Sequence, residues 1–199
     1  MDWKIKQCDR VYDGHFKVDQ YTIQHELFEG GTSKNLIRER VSRKNSVGVL
    51  PYDPNRDEVV LIEQFRMGPV AQDENPWMTE IIAGLVEEDE TFEQVAYREA
   101  LEEANCELQA LEHLSSFYPS PGGFSELAHV YVAKVNTANL GGVYGEKSEG
   151  EDIRVKVVSS QAAFKLLENG TIRSAIPMIA LFRFQSLQQE LISKWADKE

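Results

Sequence analysis

The sequence predicts an α+β domain, a mixed β-sheet covered by helices. Short runs rich in aromatic and β-branched residues recur between turn signals. Segments of helical periodicity are interspersed among them instead of alternating strictly with them. Hydrophobic residues make up 42% of the 199 positions, enough to fill a core.

Residues 15–28, HFKVDQYTIQHELF, have the composition of a strand, and the turn EGGTSKN leads into a second extended segment, LIRERVSR. VGVLPYD (47–53) and EVVLIEQFR (58–66) flank the turn signal DPNR and predict a hairpin. A polar loop around 68–77 precedes a further strand, WMTEIIAG. A helix is expected over 91–104, followed by extended segments at about 107–118 and 127–135. The stretch 136–152, NTANLGGVYGEKSEGED, is Gly-rich and acidic, and a loop of that length in a compact domain is more often functional or mobile than neutral. IRVKVVS returns to strand pattern. SQAAFKLLENG reads as a helix with Gly170 just past its end. The final helix spans about 174–196, with Pro177 tolerable only in its first turn.

The net charge of −12 argues against a broad basic surface for nucleic acid, but leaves room for a small phosphate-bearing substrate met by a few arginines and metal ions. Cys8 and Cys106 form no disulfide framework, which suits a reducing cytoplasm. The opening MDWKIKQCDR has no apolar signal region, and no run is long enough to span a membrane. A cytoplasmic protein without membrane or nucleic-acid partners is therefore expected.

The chemistry concentrates in residues 84–105, GLVEEDETFEQVAYREALEEAN. Thr91 and Gln94 form a capping-box pattern that starts the helix. Glu99 and Glu103 lie one turn apart with Glu102 on the adjoining edge, although like charges at that spacing cost roughly 0.2–0.5 kcal/mol per pair. Phe92, Val95 and Ala96 border the carboxylates, while Ala100 and Ala104 share another flank with Tyr97 as a packing surface. Carboxylates beside apolar groups require a compensating cation, and hard oxygen ligands at this density suit Mg2+ or Mn2+. A bare EALEE would ordinarily be a solvated acidic face; its surroundings alter that reading.

Gly84, Glu90, Arg98, Glu99, Glu102 and Glu103, at their fixed spacing, match the signature of the Nudix hydrolase family, which this chain resembles. Ala100 and Cys106 fill the aliphatic positions. Asn105 replaces a final Gly and, being tolerant of left-handed backbone, is expected to end the helix at the same place. The resemblance implies a Nudix α/β/α sandwich and metal-assisted hydrolysis of a nucleoside diphosphate linked to another moiety. It places Glu99 and Glu103 as the main ligands, with Glu102 and the Ala83 carbonyl contributing, and Arg98 orienting the glutamates.

Outside the signature, YPSPGGFSE (118–126), YDPNRDEVVLIEQFR, NPWMTEIIAG and EGEDIRV resemble the ADP-ribose pyrophosphatase branch of the family, a likeness running from residue 43 onward. That branch implies hydrolysis of ADP-ribose to AMP and ribose 5-phosphate. The alternatives are a GDP-mannose or other nucleotide-sugar pyrophosphatase, or a non-hydrolytic ADP-ribose-binding module. Among substrate-binding residues, the resemblance implies Arg66 at the diphosphate or adjacent groups, Pro121 and Gly122 in the Ser-Pro-Gly-Gly turn, and Glu126 at ribose or base. Arg38 and Glu39 would reach a partner subunit's site. The adenine-stacking position falls on His15, with Tyr12 and Phe16 nearby. For the base that activates water, the acidic loop offers Glu149 and Glu151, with Glu146 further away. The resemblance points to Glu149, though the helix glutamates, Glu102 among them, could serve instead. Residues 1–42 are expected to form a strand region swapped within a homodimer, and residues 43–199 the hydrolase domain.

Overall fold

The computed structural model describes residues 1–197, except for the side chain of Glu149. The chain forms two compact units, Met1–Asn45 with Tyr118–Leu127, and the remainder.

The first unit is an antiparallel sheet of β1 (Trp3–Asp13), β2 (Lys17–His25) and β3 (Leu36–Ser42), in that order. Strand β1 lies outside the expected segments and is exposed at every position, so burial imposes no alternation on its sequence. The buried Asp19 ties the strands together by accepting from Arg10 Nε at 2.5 Å and from the Ser42 hydroxyl at 2.7 Å. Segment 118–127 falls within the span expected for the hydrolase domain, yet it belongs to this unit. Val41 N–H donates to the Gly123 carbonyl at 2.8 Å, and Ser125 N–H to the Val41 carbonyl at 3.1 Å.

The second unit contains β4 (Ser46–Asp53), β5 (Glu58–Phe65), α1 (Met67–Val70), β6 (Trp77–Glu80), β7 (Ile82–Leu85), α2 (Phe92–Ala104), β8 (Ala110–Phe117), β9 (Ala128–Lys134), β10 (Gly142–Tyr144), β11 (Ile153–Ser159), α3 (Ser160–Glu168) and α4 (Ala175–Trp195). The sheet order is β10-β11-β5-β4-β9-β8, with β4 and β9 parallel and the other neighbours antiparallel, so the sheet is mixed. Val47, Val49, Val60 and Ile62 pack on one face with Val95, Ala96, Ala100 and Ala104 of α2. Leu50, Tyr52, Val59 and Leu61 pack on the other with α3 and α4. Burial of both faces explains why β4 and β5 read as continuous apolar runs, and it makes the unit an α/β/α sandwich.

Three details differ from expectation. The 68–77 loop begins with the short helix α1, and the 136–152 loop contains β10 and a 3-10 turn at Lys147–Glu149. The predicted hairpin forms but pairs only at Tyr52–Val59 and Asp53–Glu58. Beyond these the strands diverge: β6 pairs with β5 and β7 with β4, so WMTEIIAG is two short strands meeting at Ile81. This fork sits at the edge of the candidate site. Among the described residues, no helix is long and apolar enough to cross a membrane.

Candidate active site

Helix α2 begins as its sequence dictates. Thr91 Oγ1 accepts from Gln94 N–H at 3.2 Å, and the Gln94 side chain accepts from Thr91 N–H at 2.8 Å. At its other end Asn105 adopts φ 48°, ψ 42°, its N–H reaching the Leu101 carbonyl at 3.0 Å while Cys106 N–H reaches that of Ala100 at 2.9 Å. Val95, Ala96, Ala100, Glu103 and Ala104 are buried, which places Glu99 and Glu103 in the middle of the buried arc. Tyr97 does not join Ala100 and Ala104 in packing; it lies just past the arc and is exposed.

The carboxylates are positioned against β7. Glu103 is 2% exposed, and its Oε2 accepts from Ala83 N–H at 2.9 Å. A Cβ added at Gly84 would stand 1.6 Å from Glu99 Oε1 and 1.9 Å from its Cδ, so only glycine leaves that carboxylate its place. Arg98 forks onto Glu90, with Nε to Oε1 at 2.8 Å and Nη2 to Oε2 at 2.9 Å, while Nη1 reaches Glu99 at 2.6 Å and Glu102 at 3.0 Å. This accounts for Glu90 in the signature: it holds the guanidinium that separates Glu99 from Glu102. These contacts raise the Arg98 pKa, the bond to Glu90 contributing most.

Burial is the main cause that raises the pKa of Glu99 and pushes Glu103 up to about 8; the Glu151 carboxylate adds to both. Glu151 comes from the acidic loop, where Gly145 N–H donates to the Glu102 carbonyl at 3.3 Å and Glu146 N–H to Glu151 Oε2 at 3.0 Å. The sequence offers Glu151 only as a second choice for the base. The first choice, Glu149, has its side chain outside the described residues. Among the described residues, no three His, Cys, Asp or Glu side chains stand gathered as a finished ion site. The donor set nevertheless fits a hard divalent cation, since the carboxylate of Glu103 is buried and meets a backbone N–H where a cation would otherwise be needed, with the hard oxygens of Glu99 on the same face of the helix. Arg66, at the end of β5, partly offsets the charge of Glu103 and pairs through Nε with Glu80 Oε2 at 2.7 Å.

The remaining candidates lie in the first unit. His15 is exposed beside Phe16, with ring centroids 5.0 Å apart. Arg38 and Glu39 are exposed on β3, where Arg38 Nη1 donates to the Ile37 carbonyl and Glu39 accepts from Gln20. Pro121 and Gly122 form an exposed turn closed by Gly123 N–H to the Ser120 carbonyl at 3.2 Å. Glu126 is buried and 3.4 Å from Arg43 Nε.

The sequence profile of the NUDIX domain matches residues 42–180. The chain belongs to the Nudix family. Similar Nudix relatives extend along almost its whole length. ADP-ribose pyrophosphatase of Escherichia coli (strain K12) is 42% identical over 195 residues, 98% of this chain and 93% of that protein. The ADP-ribose pyrophosphatase of Haemophilus influenzae is 37% identical over 197 residues, covering 98% and 91%. A GDP-mannose pyrophosphatase of Escherichia coli (strain SMS-3-5 / SECEC) is 34% identical over 178 residues, covering 87% and 90%. The crystal structure of an ADP compounds hydrolase superposes with a TM-score of 0.72 across 96% of each chain at 21% identity, a likeness of Nudix fold.

Proposed function

We propose that this protein hydrolyses the pyrophosphate bond of ADP-ribose to AMP and ribose 5-phosphate, using Mg2+ or Mn2+, as a cytoplasmic homodimer. The observation that carries the reading is the complete carboxylate constellation on α2, with Glu99 seated on Gly84, Glu103 on Ala83 and Arg98 between Glu99 and Glu102. The ADP-ribose pyrophosphatases similar over 98% of the chain support the choice of substrate.

Glu99 and Glu103 would hold the cation, with Glu102 and the Ala83 carbonyl contributing. When bound, the ion supplies charge neutralisation for the diphosphate and lowers the pKa of water. The chain's own groups do the rest. Arg66 contacts the diphosphate and draws charge from the bridging oxygen. Arg98 keeps the helix carboxylates apart and oriented. As water attacks phosphorus, the new P–O bond forms and the bridging P–O bond breaks, its electron pair leaving with the departing phosphate. A carboxylate of the acidic loop, Glu149 in our reading, takes the proton.

In the same reading, Pro121, Gly122 and Glu126 contact the nucleoside or ribose, and His15 stacks on the adenine. Arg38 and Glu39 act in the site of a partner subunit. A second reading, a GDP-mannose pyrophosphatase, draws on the relatives 34% identical. Steady-state hydrolysis of ADP-ribose, GDP-mannose and NADH in Mg2+, with product identification, separates the two. ADP-ribose is expected to give the highest kcat/KM and to yield AMP; preference for GDP-mannose would replace the first reading with the second. Binding of ADP-ribose without AMP release would indicate a non-hydrolytic module, against which stands the retention of Glu99, Glu102 and Glu103.

A further inference from the structure

The fork between β4 and β5 gives the second unit a buried polar contact that the reaction scheme above does not use. Away from the turn, beyond Tyr52 and Val59, the two strands part; β6 runs along β5 with Glu80 opposite Ile62, and β7 runs along β4 with Ile82 opposite Val49. Glu80 and Ile81 therefore occupy the crossing from one strand to the other. The first turn of α4 closes this crossing: a Cβ added at Gly48 would lie 2.6 Å from Ile176 and 3.2 Å from Ile81. Glu80, 9% exposed, thus meets the N-terminus of α4 from within the sheet.

Ser174 is the N-cap residue of α4, a position where a serine side chain ordinarily accepts from a backbone N–H of the first turn. It makes no such bond. Its hydroxyl instead donates to Glu80 Oε1 at 2.8 Å, while Glu80 Oε2 accepts from Arg66 Nε at 2.7 Å. Each carboxylate oxygen thus has a fixed partner, and the positive end of the α4 dipole favours the charge. The pair is asymmetric in exposure: the Arg66 side chain is 45% exposed and that of Glu80 11%. Glu80 holds the guanidinium through Nε, and among the described residues no hydrogen bond engages its terminal nitrogens. A buried ion pair by itself is weak evidence for stability, because desolvation offsets much of the attraction. One buried partner fixing the Nε of a half-exposed arginine is the arrangement expected of an orienting contact.

We propose that Glu80, fixed in turn by Ser174, is the positioning residue that aims Arg66 at the substrate diphosphate. The proposal rests on the reading of Arg66 as a diphosphate contact. It extends the site from the catalytic helix, across the fork, to the start of the C-terminal helix.

The test is a double-mutant cycle on ADP-ribose hydrolysis in Mg2+, with thermal unfolding measured in parallel. Glu80→Gln keeps the size and an acceptor for Ser174 but removes the charge facing Arg66. It is expected to lower kcat/KM by about 10–100-fold, the range typical when a partner orienting a ligand side chain is lost. Arg66→Ala should lose at least as much, and adding Glu80→Gln to Arg66→Ala should change little further. Ser174→Ala, a substitution at a half-buried helix end, should fall in the same direction by a smaller factor and remains readable if Glu80→Gln unfolds. Equal losses from Glu80→Gln with and without Arg66 would overturn the proposal, because Glu80 would then act independently of the arginine. Unchanged kcat/KM in a folded Glu80→Gln variant, or in Ser174→Ala if Glu80→Gln does not fold, would also overturn it while leaving the role of Arg66 intact. Normal turnover by Arg66→Ala is a separate failure, removing the diphosphate reading and the proposal with it.

Discussion

Gly84 carries more of the site than its size suggests. Its backbone φ is not in the left-handed region, so an alanine there meets no backbone strain. The collision is with Glu99, whose Cγ, Cδ and Oε1 all fall within 2.5 Å of the added carbon. A glutamate can swing away at modest cost, which separates the effect on folding from the effect on chemistry. Gly84→Ala is expected to unfold within a few degrees of the parent, because it creates no cavity and strands no buried polar group. Its kcat/KM should fall by about 10–100-fold and its Mg2+ dependence should shift to higher concentration, the signature of a displaced ligand. Parent-like turnover and Mg2+ dependence would mean that Glu99 does not need the position it occupies against β7.

At the scale of elements, helix α2 ends on a residue chosen for conformation more than for contact. Asn105, at φ 48°, is exposed. Asn105→Gly should hold or slightly raise stability, whereas Asn105→Ala should cost about 1 kcal/mol, since alanine enters the left-handed region at a steric penalty. Neither should change kcat, as Asn105 supplies no ligand; a large kcat loss in either folded variant would tie the helix end to catalysis. The helix itself was legible because cap, periodicity and signature all lie within one local stretch. Strands β4 and β5 were legible because both their faces are buried. Strand β1 was not, being exposed throughout, and the three residues of β10 lie hidden among glycines. The Ser174–Glu80 contact joins positions 94 apart in the chain and depends on the fork, which no local pattern encodes.

For the whole molecule, the first unit raises the question of a partner. Trp3, Ile5, Val11 and Ile37 are each at least 45% exposed on a three-stranded sheet, and a sheet of that size with uncovered apolar side chains is marginal alone. A second copy is the partner in our reading, with Arg38 and Glu39 serving its site. Val11→Asp combined with Ile37→Asp should convert a dimer to a monomer in analytical ultracentrifugation, since losing burial of each side chain removes roughly 1.5–3 kcal/mol of association energy. A parent protein already monomeric at micromolar concentration would end the dimer reading. Site sharing is tested more sharply by complementation. Arg38→Ala and Glu99→Gln should each be nearly inactive as homodimers. After mixing, unfolding and refolding together, half of the dimers are mixed, and each mixed dimer holds one site with an intact Glu99 and the other subunit's intact Arg38. Activity should then recover to about one quarter of the parent level, as random pairing in a two-fold dimer requires. If Arg38 instead acted on its own subunit's site, every site in the mixed dimer would lack one of the two groups and no activity would return.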